Sequence, residues 1–124
     1  MGVPFAKSGL DVQLDVQGDL AALPAGVQLS AYRIIQESLT NALRHGADGR
    51  AMVRVTALPA ELVIKITNNA AVGNTARRGF GLVGMAERAA LLGGSVQHRM
   101  ESGQFELEAR MPIEQPRSAL VGLP

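Results

Sequence analysis

Cysteine is absent from this sequence. That excludes a disulfide framework and a zinc–thiolate centre, and it points to the cytoplasm. Histidine is scarce, and two residues cannot build an all-histidine metal site. Any metal is therefore expected to be a hard cation held by oxygen ligands and a substrate's phosphates. No apolar run approaches the roughly 18 residues that cross a bilayer, and the first residues carry no leader-like apolar core. Membrane contact by this stretch is not expected. An excess charge of one sign is also missing, because the formal net charge is +1; nothing marks nucleic acid as a partner. Neither internal repeats nor low-complexity tracts stand out.

What is present is the composition of an ordinary globular domain, 47% hydrophobic and 19% charged over 124 residues. That length buries one modest core and not two. Leu10 to Val16 alternates apolar and polar residues, the period of a half-buried strand. Gly18-Asp19 breaks it, and Leu23-Pro24 leads into a helical pattern. From Val27, the apolar residues Ala31, Ile34, Ile35, Leu39, Ala42 and Leu43 recur at three- and four-residue steps, with Gly46 as the stop. Met52 to Thr56 alternates again, Leu58 to Glu61 reads as a turn, and Leu62 to Thr67 as the return strand of a hairpin. Residues 68 to 81 break down into small residues, three glycines and Arg77-Arg78, which predicts a loop. Leu82 to Leu92 is helical and stops at Gly93-Gly94. Ser95 to Glu101 and Gln104 to Met111 form a second hairpin around Ser102-Gly103. The predicted fold is an α/β (α+β) two-layer sandwich, a mixed, mostly antiparallel sheet of about five strands covered on one face by helices. Residues 1–113 are expected to form the domain and residues 114–124 a tail.

Two segments carry chemistry. In the first helix, Glu37, Asn41 and His45 step along one side, each about 40° from the last at ~100° per residue. A carboxylate and an amide oxygen one turn apart can jointly position a hydrated magnesium ion and a nucleophile. Arg44 and His45 add positive charge where a phosphate tail could lie. The same four residues also fit a solvated helix edge, with Arg44 and His45 complementing the negative end of the helix dipole. The second segment, Arg77-Arg78-Gly79-Phe80-Gly81-Leu82-Val83-Gly84, opens a helix. Glycines let the backbone approach an anion, and the helix's first unpaired N–H groups point at it. A triphosphate is the natural guest, with Arg77 or Arg78 closing over it; a linker running into a helix is the plainer reading. The dinucleotide-fold version of this glycine pattern is disfavoured, because it would directly follow the first strand.

Taken in order, these segments resemble the ATPase domain of sensor histidine kinases in the GHKL superfamily, over roughly Leu10 to Ile113. Glu37 to His45 looks like the family's N box, and Gly79 to Gly84 like its second glycine box. Leu82 to Gly94 is similar to the subfamily whose kinases work with response regulators of the helix-turn-helix type, and Phe105 to Pro112 to its closing strand. The resemblance implies ATP and magnesium as ligands. By it, Asn41 binds magnesium and the phosphates, and Glu37 orients or deprotonates the attacking group. The backbone of Gly79, Phe80, Gly81 and Leu82 cradles the phosphates, and the preceding loop is a lid. The implied partners are a histidine-bearing dimerisation domain and a response regulator.

The sequence departs from that pattern in two places. The family's first glycine box, Asp-x-Gly-x-Gly, is replaced by Asn68-Asn69-Ala70-Ala71-Val72. Asn68 stands where an aspartate accepts from the adenine amino group, and it can accept that bond without charge assistance. No segment resembles the phosphate-accepting histidine helix, so the chain alone is expected to bind ATP and not to phosphorylate itself. Two alternatives remain open at this point. One is a degenerate, non-catalytic nucleotide-binding module; the other is a serine kinase of the anti-sigma-factor kind.

Overall fold

The computed structural model describes residues 9–70 and 82–113. Residues 71–81 of the predicted loop and lid, Arg77 to Gly81 among them, and the predicted tail lie outside them.

Strand β1 (Asp11–Gln17) leads through a 3-10 turn, Leu20–Ala22, capped by Asp19, whose Oδ1 accepts from Ala21 N–H at 3.1 Å. Helix α1 (Ala25–His45) follows. Strands β2 (Arg50–Ala57) and β3 (Glu61–Asn69) form the first hairpin, closed by Leu58 N–H donating to Glu61 O at 2.9 Å. Helix α2 (Leu82–Ala90) then precedes strands β4 (Ser95–Glu101) and β5 (Gln104–Pro112). The turn between β4 and β5 is Ser102-Gly103, both at positive φ (53° and 78°), the two-residue form whose twist matches that of paired strands.

The sheet runs β1-β2-β3-β5-β4, with β1 parallel to β2 and every other pair antiparallel. A parallel neighbour needs a long crossover, and α1 supplies it. The expected mixed, mostly antiparallel sheet of five strands with helices on one face is therefore observed.

Period-two alternation decides what each strand buries. Val53 and Val55 of β2, Leu62, Ile64 and Ile66 of β3, and Leu107, Ala109 and Met111 of β5 face the helices and are buried. Val27, Ala31, Ile34 and Leu39 of α1 and Met85 and Ala89 of α2 cover them. The opposite face is wet and carries charge pairs across the strands: Arg54–Asp15 at 3.3 Å, Arg99–Glu106 at 2.9 Å and Arg110–Glu61 at 2.7 Å. Such exposed pairs contribute about 0–1 kcal/mol each, so the apolar layer holds the fold.

Several boundaries shift by a residue or two from the sequence reading, and two of the shifts have a visible cause. Strand β3 runs on through Asn69 instead of ending at Thr67, because residues 68 and 69 keep pairing with Phe105 and Gln104. Regular α2 ends at Ala90, and the chain closes through a Schellman motif: Gly93 N–H donates to Ala90 O at 2.9 Å and Gly94 N–H to Ala89 O at 2.8 Å. Gly93 has φ +80°, which is why a glycine stops the helix there.

Ile64 is fully buried at the middle of the central strand. Ile64→Ala is expected to cost about 2–5 kcal/mol, read as a lower midpoint in denaturant at unchanged slope.

Candidate functional site

Three polar side chains are buried among the described residues: Ser38, Asn41 and Asn68. Each occupies a position that the core periodicity would give to an apolar residue. Ser38 and Asn41 continue the stripe of Val27, Ala31 and Ile34 into the C-terminal half of α1. Asn68 is the next core-face position after Leu62, Ile64 and Ile66. A buried polar group is informative where an exposed apolar one is not, and these three mark one end of the core.

That end is fastened by backbone. Gly46 closes α1, donating its N–H to Ala42 O at 2.9 Å, and forms an antiparallel bridge with Ala70. Ala47 N–H donates to Asn69 O at 2.8 Å, and Ala70 N–H to Gly103 O at 2.8 Å. Gly46 has an ordinary φ of −76°, so conformational freedom is not why glycine stands there. A methyl group at this position would collide with the Ala42 carbonyl and lie 3.5 Å from Asn68 Nδ2. The collision is with α1's own last turn, whereas the distance to β3 is ordinary contact, so the tight closure of the helix at Ala42 is what requires glycine.

The line predicted along α1 has the character of a border. Glu37 is exposed, Asn41 is 8% exposed, Arg44 is exposed and His45 half-buried. Ser38 Oγ lies 3.6 Å from Met85 Sδ, a weak O–H to sulfur bond that joins this part of α1 to the first turn of α2. Leu82 packs against the core, whereas Gly84 is exposed with open space where a methyl would go. The described residues thus bring Asn41, His45 and Asn68 to one end of the sandwich, with the start of α2 alongside. Arg77, Arg78, Gly79, Phe80 and Gly81 lie outside them.

Asn68 is 8% exposed, and its Nδ2 donates to Asn69 O at 3.0 Å. Asn69 Nδ2 donates to Asp48 Oδ2 at 2.8 Å, and Arg50 N–H to Asp48 Oδ1 at 3.2 Å. The bond from Asn69, with the lesser help of the Arg50 amide and charge, holds the Asp48 carboxyl below the usual carboxylate range. A depressed carboxylate stabilises above its unfolded pKa, and that contribution is lost as pH falls through its folded value. Asp48 and Asn69 were missed by sequence reasoning. The signal for Asp48 was turn chemistry, Asp-Gly directly after a helix stop; nothing local pointed to its pairing with Asn69.

No family model matches the chain. Its sequence is 34% identical over 109 residues to the sensor histidine kinase YxjM of Bacillus subtilis, covering 86% of this chain and 27% of that protein. It is 31% identical over 111 residues to the sensor histidine kinase LnrJ of the same organism, covering 88% and 28%. The catalytic domain of histidine kinase ThkA, solved nucleotide-free, superposes with a TM-score of 0.66 at 10% identity, covering 88% of this chain and 82% of that one. The fold is therefore that of a histidine-kinase catalytic domain. By sequence the chain is a relative of the sensor histidine kinases, and it spans a little over a quarter of the length of the curated relatives it matches.

Two glycines at this end differ in the space around them. Gly46→Ala is expected to cost about 1–3 kcal/mol through overpacking. Gly84→Ala should leave stability unchanged or raise it by about 0.5–1 kcal/mol. Thermal denaturation of both variants reads the contrast.

Proposed function

We propose that this chain is the ATP-binding catalytic domain of a two-component sensor histidine kinase. It would present the γ-phosphate of ATP to a histidine on a dimerisation domain, from which a response-regulator aspartate receives it. The observation that carries this reading is the polar end of the core, where the termini of α1 and β3 are bonded to each other beside the first turn of α2. Relationship to sensor kinases supports histidine as acceptor over the serine-kinase and non-catalytic alternatives.

In this reading Asn41 meets the metal and the phosphates, and Glu37 orients or deprotonates the attacking group. Arg44, His45, Arg77 and Arg78 offset phosphate charge, and the backbone from Gly79 to Leu82, with Gly84, cradles the phosphate tail. Asn68 reads adenine. Phosphoryl transfer asks a protein mainly for placement and charge neutralisation, which suits so small a set of groups. Among the described residues no cluster of three or more acidic, histidine or cysteine side chains could hold a metal unaided. The oxygens of Asn41 and Glu37 suit a hydrated magnesium ion that arrives with the nucleotide and keeps phosphate and water ligands. The regulator is of the helix-turn-helix type and the setting cytoplasmic. Residues 1–113 make the domain and 114–124 a tail.

Calorimetric titration tests the assignment. Magnesium-ATP should bind the parent chain, and Asn41→Ala should weaken binding by about tenfold or more, as expected for loss of a charge-assisted contact. Its thermal midpoint should move far less. A folded Asn41→Ala variant with unchanged affinity would remove the N-box assignment.

A further inference from the structure

The base-reading position is a single amide, and an amide has two ends of opposite character. Its oxygen suits a base that presents an amino group, and its nitrogen suits one that presents a carbonyl. Which end meets a ligand therefore decides the preference. The Asn68 side chain lies 3.0 Å from the Asn69 carbonyl, a partner that can only accept. The atom on that side must be the nitrogen. Beyond it stands Gly46, where an added methyl would lie 3.5 Å from Nδ2. The nitrogen is thus turned into the protein's own backbone, and the oxygen is the opposite end.

That orientation is only as secure as the Asn69 carbonyl. The same oxygen accepts from Ala47 N–H at 2.8 Å, so it already joins β3 to the loop after α1. The Asn69 side chain adds a second tie by donating to Asp48 Oδ2 at 2.8 Å. Asp48 is held in turn at its other oxygen by Arg50 N–H at 3.2 Å. Both of its oxygens are used by the protein.

We infer that Asp48 and Asn69 form a clamp that fixes the Asn68 amide oxygen-outward, so that this position selects a purine triphosphate presenting an exocyclic amino group over one presenting a carbonyl. The inference rests on the reading of Asn68 as the residue that meets the base. Asp48 is a positioning residue in it, acting through Asn69. A carboxylate at position 68 cannot donate to the Asn69 carbonyl and so escapes the clamp, yet it presents an acceptor to the base whichever way it turns; an asparagine presents one only while the clamp holds its nitrogen inward.

That difference supplies the test. ATP and GTP, each with magnesium, are titrated into the 124-residue chain and into Asp48→Ala, Asp48→Asn, Asn69→Ala, Asn68→Asp and the Asn68→Asp/Asp48→Ala double variant. The parent should favour ATP. Asp48→Ala and Asn69→Ala should each narrow the ATP-over-GTP ratio by about three- to tenfold, the scale of one hydrogen bond. Asp48→Asn keeps an acceptor oxygen and should retain most of the ratio. In the Asn68→Asp background, Asp48→Ala should leave the ratio unchanged. If Asp48→Ala weakens both nucleotides equally, or narrows the ratio as much in the Asn68→Asp background, Asp48 only supports the loop; the clamp is overturned while the base reading stands. If the parent binds ATP and GTP alike, the reading of Asn68 itself fails and takes the clamp with it.

Discussion

Burial on one face of the central strand governs both the core and the site. Strand β3 sends Leu62, Ile64 and Ile66 into the protein, and the same alternation carries Asn68 after them. Helix α1 does the equivalent with its own period, placing Ser38 and Asn41 after Val27, Ala31 and Ile34. An amide buried without a partner is costly, by roughly 1–3 kcal/mol. The end of β3 meets that constraint locally, since the Asn69 carbonyl accepts from the Asn68 side chain. Among the described residues no buried side-chain nitrogen or oxygen lacks a partner. The polar end is thus built by the periodicities that build the core, with amides and a hydroxyl in place of hydrocarbon.

Geometry at that end depends on how tightly α1 can finish against the sheet. Gly46 lets α1 close tightly on Ala42, and the chain that leaves it bonds to residues 69 and 70 and brings Asp48 to Asn69. The β4–β5 turn adds a fastening from the other side, through Gly103 O and Ala70 N–H. Residue 70 is where the resembling kinases carry a glycine, and here its backbone is engaged on both sides by the protein itself.

Much of the fold was legible because its signals are periodic. Strands β1, β2, β4 and β5 and helix α1 were read within a few residues, since each pairs an apolar repeat with a turn residue at its end. The end of β3 was not, because Asn68 and Asn69 have the composition of a loop; cross-strand pairing with Phe105 and Gln104 overrides that local preference. Glu37, Asn41 and His45 could be placed on one side of α1 from spacing alone. The tie between Asp48 and Asn69 could not, because it joins residues from different elements that meet only through the backbone pairing of residues 46 and 47 with residues 69 and 70. The amide orientation at Asn68 was equally hidden, since sequence does not say which end meets a carbonyl.

The parallel β1–β2 pair bears on how the chain folds and comes apart. The β2–β3 and β4–β5 hairpins join neighbours in sequence and can close within roughly 1–10 μs. Strand β1 finds its partner only after the whole of α1 has crossed the sheet, a closure of long range. It also sits at the sheet's edge, with Leu14 and Val16 left partly exposed on the helix side. Contacts of this kind belong late on the folding route, and late contacts set the unfolding rate more than the folding rate. How long a folded molecule persists before it opens is then governed at its first strand, whose opening residue, Asp11, bonds to Gly49 beside the Asp48 loop.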